Sequence, residues 1–313
     1  MSIIFIYMME GPLFSVLCTN YNNGEFIPEM INSLIQQTYA HWELVFVDDG
    51  SSDNSLERIE DFRSDSRVRV YSSPTNIGAG GAATIAAEQA KGSLMGRLDA
   101  DDALRPNAIA IMVKAHTRHP GASLITSQVI ACDPQLQPVT PAWHKNMPLP
   151  EGKSIIEHPS VGHFATFKTS SYKQTTGFNP GLKRAVDLDI YIKLEEVGPV
   201  VVLDCQLYLY RQNINGISQG HNGTLAKALA YQVMIEAYFR RKSSAFKPNI
   251  SRKDARAMRM RQHQIDISQS LPLAAPWKLF FSTIESFPEL LIDPTMLRNT
   301  LSATLRNIRI FKI

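Results

Sequence analysis

Between Leu13 and Leu98 the chain alternates four short β-forming runs with segments of helical spacing, and this alternation constrains its fold more than any other feature. Leu13 to Cys18 is a continuous apolar run, as expected of a strand buried on both faces. It ends in Thr19-Asn20-Tyr21-Asn22-Asn23-Gly24, which is turn chemistry. Ile27, Met30, Ile31, Leu34 and Ile35 then repeat with the period of a helix. Trp42 to Val47 reads as a second strand and runs into Asp48-Asp49-Gly50-Ser51-Ser52-Asp53. Ser52 or Asp53 is placed there to cap a helix whose apolar side is Leu56 and Ile59. Val68 to Tyr71 is a third strand. Asn76 to Gly81 leads into an Ala-rich helix that runs to Ala90 and is stopped by Gly92. Leu94 to Leu98 is the fourth strand. Strands and helices alternating at this spacing predict βαβ units in a doubly wound, mostly parallel α/β sheet. In such sheets ligands bind beyond the carboxyl ends of the strands. Three of those ends carry polar or acidic loops, at residues 19–24, 48–53 and 99–102.

The fourth strand delivers Arg97-Leu98-Asp99-Ala100-Asp101-Asp102, three carboxylates within four residues. Like charges crowded this way are unfavourable unless something cationic lies among them. In an extended segment Asp99 and Asp101 point to the same side. Two oxygen-rich groups at a strand end suit a hard divalent cation such as Mg²⁺ or Mn²⁺. The stretch taken alone also reads as a solvated acidic turn opening a helix, with Pro106 in its first turn.

Downstream the pattern changes. A helix is predicted from Ala108 to His116, followed by strand-like runs at 123–126 and 128–131 and a proline-rich extended loop over 133–160. His163 to Phe167 is a further strand, Val186 to Glu196 a helix bearing Asp187 and Asp189, and 200–203 and 207–210 two more strands. Apolar residues at 225, 229, 233 and 237 place a helix over Leu225 to Arg241.

Charge divides the chain. Residues 240–313 hold 14 Lys and Arg against 5 Asp and Glu, whereas the first 239 residues hold 18 against 24. Such asymmetry points to different partners for the two parts. The expected organisation is an α/β domain over 1–220 and a basic helical extension over 221–313. In that extension Trp277, Phe280, Phe281, Ile284 and Phe287 share one helical face, and Leu297, Leu301, Leu305 and Ile308 another. Basic residues beside apolar helix faces suit an anionic membrane surface; packing on the α/β domain or on a partner subunit is the alternative. No recognised nucleic-acid-binding module accompanies the charge, so no nucleic-acid partner is expected. The three cysteines, Cys18, Cys132 and Cys205, have neither zinc-site nor disulfide-framework spacing, and Cys18 and Cys205, in apolar runs, read as buried thiols of a reducing compartment. Met1 to Met9 lacks the basic flank and long apolar core of a signal peptide, and no stretch has the length of a membrane span. The expected location is the cytoplasm, with peripheral attachment to the inner face of the cytoplasmic membrane.

The segments SVLCTNYNNG, QQTYAHWELVFVDDGSSD, NIGAGGAATIAAEQAKG, GRLDADDALRP, TGFNPGLKRAVDLDIYIKL and YLYRQN occur in an order and spacing that resemble family 2 glycosyltransferases, the inverting enzymes of the GT-A fold. The resemblance covers about residues 12–215. It implies a sheet of the GT-A type and transfer of a sugar from a nucleotide-diphosphate donor, UDP favoured, to a glycan or lipid-linked acceptor in surface polysaccharide synthesis. Asp99 and Asp101 match the metal-binding DxD, with Asp101 the direct ligand of Mn²⁺ or Mg²⁺, Asp99 its partner and Asp102 mainly structural. Thr19 and Tyr21 match positions that cradle the nucleotide, and Tyr21 also reads as an ordinary loop aromatic. Asp49 matches the acceptor of a pyrimidine N–H, beside a structural Asp48; helix capping is the plainer role for both. Asp187 matches the base that takes the acceptor's proton, with Asp189 as its competitor. Arg211 reads as a diphosphate contact or a structural surface arginine, and His163, on a strand near the presumed acceptor side, reads first as a satisfied core histidine.

The chain also departs from the family pattern. Ala83-Thr84 stand where Arg-Asn is usual and Val186 where Glu is. Asn213 stands where a His that approaches the metal is usual, leaving Asn213 or His221 to replace it. Two other readings compete. One is a sugar nucleotidyltransferase, although TNYNNG lacks the basic residue such enzymes carry after the first strand. The other is a non-catalytic carbohydrate- or membrane-binding protein that keeps the fold.

Overall fold

A computed structural model describes residues 11–139, 146–159, 161–212 and 223–242. Asn213, His221 and the aromatic and leucine-lined helices expected beyond residue 242 lie outside the described residues, as does Met1 to Met9. The strands are β1 (Phe14–Asn20), β2 (Trp42–Asp48), β3 (Val68–Ser72), β4 (Leu94–Arg97), β5 (Ala103–Leu104), β6 (Leu124–Cys132), β7 (Ala165–Lys168) and β8 (Val200–Arg211). The helices are α1 (Ile27–Ile35), α2 (Ser55–Glu60), α3 (Ala79–Gln89), α4 (Ala108–Arg118), α5 (Thr169–Tyr172), α6 (Val186–Glu195) and α7 (Gly223–Lys242). Among the described residues no helix is long and apolar enough to cross a membrane.

The strands form one sheet in the order β3-β2-β1-β4-β7-β6-β8-β5. Its first half is parallel, as the βαβ alternation predicts. β7 then runs antiparallel to both β4 and β6, β8 is parallel to β6, and β5 is antiparallel to β8. The sheet is therefore mixed α/β. Side chains alternate between its faces along β1: Phe14, Val16 and Cys18 join one core, and Leu17 the other. The first core is closed by Ile27, Met30, Ile31 and Leu34 of α1, all fully buried. Burying each contributes roughly 1.5–3 kcal/mol. Ile35, expected on that face, is exposed, one position past the apolar stripe. The second core holds the small residues of α3, which let that helix approach the sheet closely, together with Ile190, Tyr191 and Leu194 of α6.

Several elements differ from the sequence expectation. The runs at 123–126 and 128–131 are one strand, β6, with register shifts between Thr126 and Val129 where it pairs with β8. The runs at 200–203 and 207–210 likewise join as β8. A bulge interrupts the side-chain alternation without ending the pairing, so one strand reads as two. β5 has only two residues, too few to show a period. Asp53 does not cap α2 as its N-cap residue: its Oδ1 accepts from the amide of Ser55, and its Oδ2 from the amide of Gly24, tying the loops after β1 and β2 together. Of the positions that depart from the family pattern, the three that are described are used for packing. Ala83 and Val186 are buried, and the Thr84 hydroxyl donates to the Gly80 carbonyl 2.8 Å away. A Cβ at Gly80 would stand 2.1 Å from the Asn179 carbonyl oxygen, so only glycine lets the 179–182 loop seat on α3.

α7 docks on α6 through ion pairs. The fully buried Arg241 reaches Glu195 at 2.7 Å and Glu196 at 2.9 Å, and Arg240 reaches Glu196 at 2.8 Å.

His116 of α4 is buried with Nε2 3.0 Å from Thr166 Oγ1. Burial, aided by the charge of Lys168, pushes its pKa down to about 4. The unfolded chain's imidazole titrates near ~6.5, so the unfolded state binds the proton first. Stability is therefore complete above that pH and lost as pH falls toward the folded value, by up to about 3 kcal/mol. Urea unfolding across pH 7.5 to 4.5 should show this loss, and His116→Gln should flatten part of the slope. An unchanged slope in that variant would contradict the assignment.

Candidate active site

A cleft of about 960 Å³ opens at the carboxyl ends of β1, β2 and β4 and is walled on the far side by the start of α6 and by α7. This is where a doubly wound sheet places its ligand, and the volume suits a nucleotide-sized molecule. Thr19, Tyr21, Asp49, Asp99, Asp101, Asp187 and Arg211 all line it. Residues far apart in sequence are thus gathered on one cavity by the strand ends that carry them.

The loops after β1 and β2 are locked together. Asn20 Nδ2 donates to Asp48 Oδ1 at 2.8 Å, and Asp48 also accepts from the Ser51 amide and hydroxyl. Asp48 is buried and fully spent on this loop. Asp49, beside it, accepts from the amides of Ile77 and Gly78 at 2.7 and 2.9 Å, which fixes the entry to α3. Burial raises the pKa of Asp49, against the pull of those two amides and with a further push from Asp48. Neither aspartate caps α2. Tyr21 stands at the cleft edge with 46% of its surface exposed, its ring open for stacking.

The acidic turn after β4 is built from outside. β5 pairs with β8 so that Leu104 lies opposite Tyr208, which carries the last residues of β8 alongside the turn. The Tyr208 hydroxyl donates to Asp102 Oδ2 at 2.7 Å and accepts from the Asp99 amide at 3.2 Å. The Arg211 amide donates to Asp102 Oδ1 at 2.7 Å. Asp102 is therefore buried with both oxygens engaged, a structural carboxylate. Burial, then Asp101 and Asp99, push its pKa well above the usual range.

The reading of Arg211 as a surface arginine requires a correction: the residue lines the cleft, but its side chain is 1% exposed. Nε donates to the Asp101 carbonyl at 2.6 Å, the other nitrogens bond the Pro134 carbonyl and Glu29, and the group lies 4.5 Å over the Phe26 ring. Arg211 clamps the turn that presents Asp101.

Arg97, the last residue of β4, supplies the countercharge. It donates to Asp99 Oδ1 at 3.0 Å. Burial opposes its charge, yet Asp99, Tyr191, Asp187 and Tyr208 hold its pKa above the usual value. One guanidinium thus faces two carboxylates of the cleft, Asp99 and Asp187. Asp187 sits in the first turn of α6, half-buried, whereas Asp189 turns into the core and pairs with Lys193 at 2.7 Å.

His163 also requires a correction. It is no satisfied core histidine but part of the cleft wall, 17% exposed, with Nε2 3.8 Å from Asp99 Oδ2. Sequence reasoning also assigned no role to Arg97 or Tyr208. Arg97 is a cation abutting three acids, which is a readable signal; Tyr208 looked like one more apolar position of a strand.

The turn retains excess negative charge. Burial and then Asp99 and Asp101 push up the pKa of the buried Cys18 beneath it. Two half-buried carboxylates, Asp99 and Asp101, open on the cleft, and among the described residues no group of three His, Cys, Asp or Glu side chains forms a dedicated metal cage. Such a donor set fits Mg²⁺ or Mn²⁺, which complete their shells with water and substrate phosphates.

Comparison with known proteins agrees with this geometry. The family model described as Glycosyl transferase family 2 matches residues 15–175. A hyaluronan synthase of Pasteurella multocida is 30% identical over 217 residues, which are 69% of this chain and 21% of that protein. The crystal structure of S. aureus TarS 1–349 in complex with UDP-GlcNAc superposes with a TM-score of 0.60 at 20% identity, covering 94% of this chain and 81% of that one. The mannosyltransferase PcManGT of Pyrobaculum calidifontis, in complex with GDP-Man and Mn²⁺, superposes with a TM-score of 0.57 at 15% identity, covering 98% and 89%. These neighbours identify the fold as GT-A.

If Tyr208 holds the acidic turn, Tyr208→Phe leaves a buried carboxylate short of one donor. The expected loss is about 1–3 kcal/mol in urea unfolding. Wild-type stability in that variant would show that the hydroxyl carries no structural role.

Proposed function

The chain belongs to glycosyl transferase family 2, and on that premise we propose that it is a metal-dependent inverting glycosyltransferase. The donor is a nucleotide-diphosphate sugar, UDP-sugar favoured, and the acceptor a hydroxyl of a glycan or lipid-linked saccharide in surface polysaccharide synthesis. One observation carries this reading: Asp49, Asp101 and Asp187, from three separate strand and helix ends, line a single cleft. Because the chain spans only a fifth of the hyaluronan synthase it matches, that relative supports the class of reaction and not a particular product.

Each residue's part follows from its place. Thr19 and the exposed ring of Tyr21 cradle the nucleotide. Asp49 uses the oxygen lone pairs not committed to Ile77 and Gly78 to accept from the N–H of a pyrimidine, since a carboxylate offers about four acceptor sites. Asp101, with Asp99 as partner, holds Mn²⁺ or Mg²⁺. A bound divalent ion would stabilise the negative charge that grows on the departing diphosphate. Asp187 accepts the proton of the acceptor hydroxyl while that oxygen bonds to the anomeric carbon and the carbon–oxygen bond to diphosphate breaks. A carboxylate suffices as base, because the hydroxyl becomes acidic as its bond to carbon forms. Arg97, bonded to Asp99 and within the field of Asp187, keeps two like charges tolerable in one cleft.

The basic segment beyond residue 239 places the enzyme, on this proposal, against the anionic inner face of the cytoplasmic membrane, where a lipid-linked acceptor would lie.

Release of nucleotide from a panel of nucleotide sugars, with and without Mn²⁺, tests the proposal. Asp187→Asn should retain UDP–Mn²⁺ binding and lose about 10²–10⁴-fold in turnover. Asp101→Ala should lose the binding itself. Full turnover in the first variant, or undiminished binding in the second, would overturn the assigned roles. Nucleotide binding by the wild type with no turnover of any sugar would favour a non-catalytic binding protein.

A further inference from the structure

His163 is held in the cleft by far more structure than a wall residue needs. Its ring stacks on Tyr208 at 5.0 Å and 16° and on Tyr210 at 5.8 Å and 20°. Tyr208 in turn stacks on Phe164, so the imidazole continues a column of rings that rises from the core. Its backbone is anchored as well. The fully buried Asn146 donates from Nδ2 to the His163 carbonyl at 2.6 Å and to the Ser127 carbonyl at 2.5 Å. Gln128 Nε2 donates to the Asn146 carbonyl at 2.8 Å, and Thr126 Oγ1 to the Gly162 carbonyl at 2.7 Å. These donors come from the irregular stretch of β6, residues 126–128, where its pairing with β8 shifts register. A buried polar network of this kind fixes one conformation.

The fixed imidazole presents Nε2 to Asp99 Oδ2 across 3.8 Å. That gap is too long for a hydrogen bond. One oxygen lying to the cleft side of the pair, about 2.8 Å from each, can donate to the carboxylate and accept from the imidazole N–H. Asp99 Oδ1 is already committed to Arg97. Oδ2 faces His163, and a carboxylate's spare lone pairs let it accept from a hydroxyl while Asp99 also supports the cation beside Asp101. His163 and Asp99 line the same cleft as Asp101 and Asp187, the residues to which the metal and the base are assigned above, and a transferred sugar has to lie among these groups.

We infer that His163 and Asp99 form a clamp for one hydroxyl of the donor's sugar ring, and that His163 is a specificity-determining residue of the transfer. The inference rests on the glycosyltransferase reading above and adds to it the group that recognises the sugar.

The test separates sugar from nucleotide. Binding is measured by titration calorimetry in Mn²⁺ with UDP and with UDP-glucose, UDP-N-acetylglucosamine, UDP-galactose and UDP-glucuronate. The wild type identifies which sugar is held best. His163→Phe keeps the ring stack and removes the nitrogens. It should weaken that UDP-sugar about tenfold, the value of one good hydrogen bond, while UDP binds within twofold of wild type. His163→Gln, whose amide nitrogen reaches the place of Nε2, should recover part of the loss. Equal weakening of UDP and UDP-sugar in His163→Phe would overturn the inference in favour of a metal, diphosphate or purely structural role. Unchanged binding of both would overturn it outright. Failure of the wild type to bind UDP or any UDP-sugar would instead overturn the donor reading on which the clamp depends.

Discussion

The mutual repulsion of Asp99, Asp101 and Asp102 is the constraint around which the cleft is arranged. Three carboxylates in four residues would spread apart in a free chain. Here each is dealt with differently. Asp102 is buried and tied by Tyr208 and the Arg211 amide. Asp99 leans on Arg97. Asp101 is presented to the cleft by a turn whose carbonyl Arg211 holds. The fold neutralises part of the charge and leaves the remainder facing the cavity, and that remainder is what a cation and a diphosphate together would satisfy.

β8 is what makes this possible. It runs the length of β6, shifts register at the bulge, and ends beside the acidic turn by pairing with β5. The same strand end supplies Tyr208 and Arg211 to the turn and the tyrosine rings that grip His163. The bulge region also sends Gln128 toward Asn146, which anchors His163 from its backbone side. One irregularity in pairing thus orients both walls of the site. A buried arginine serves a parallel purpose on the other side: Arg241 fastens α7 to α6, the helix whose first turn carries Asp187.

Local pattern made much of this legible. The burial of α1 follows directly from the spacing of Ile27, Met30, Ile31 and Leu34, and the cleft lies where the polar strand ends converge. The family resemblance implies a mainly structural Asp102, and its two engaged oxygens agree with that. What depends on contacts across about a hundred residues could not. Tyr208 and Asp102 meet through a two-residue strand with no period to read, and Tyr208 has the pattern of an ordinary buried strand residue. Arg211 looked equally suited to solvent or phosphate because nothing local records Glu29, Phe26 and Pro134 closing around it. His163 looked like a core residue for the same reason: its neighbours in sequence are apolar, and only the sheet order brings Asp99 to it.

The central claim is that the acidic turn holds too few protein ligands to bind a metal well alone and enough to bind it together with a diphosphate. Electron paramagnetic resonance of Mn²⁺ tests this most directly. Protein alone should leave most of the free-ion signal in place, and addition of UDP should remove it. Capture of Mn²⁺ to the same extent without UDP, or no capture with it, would contradict the account.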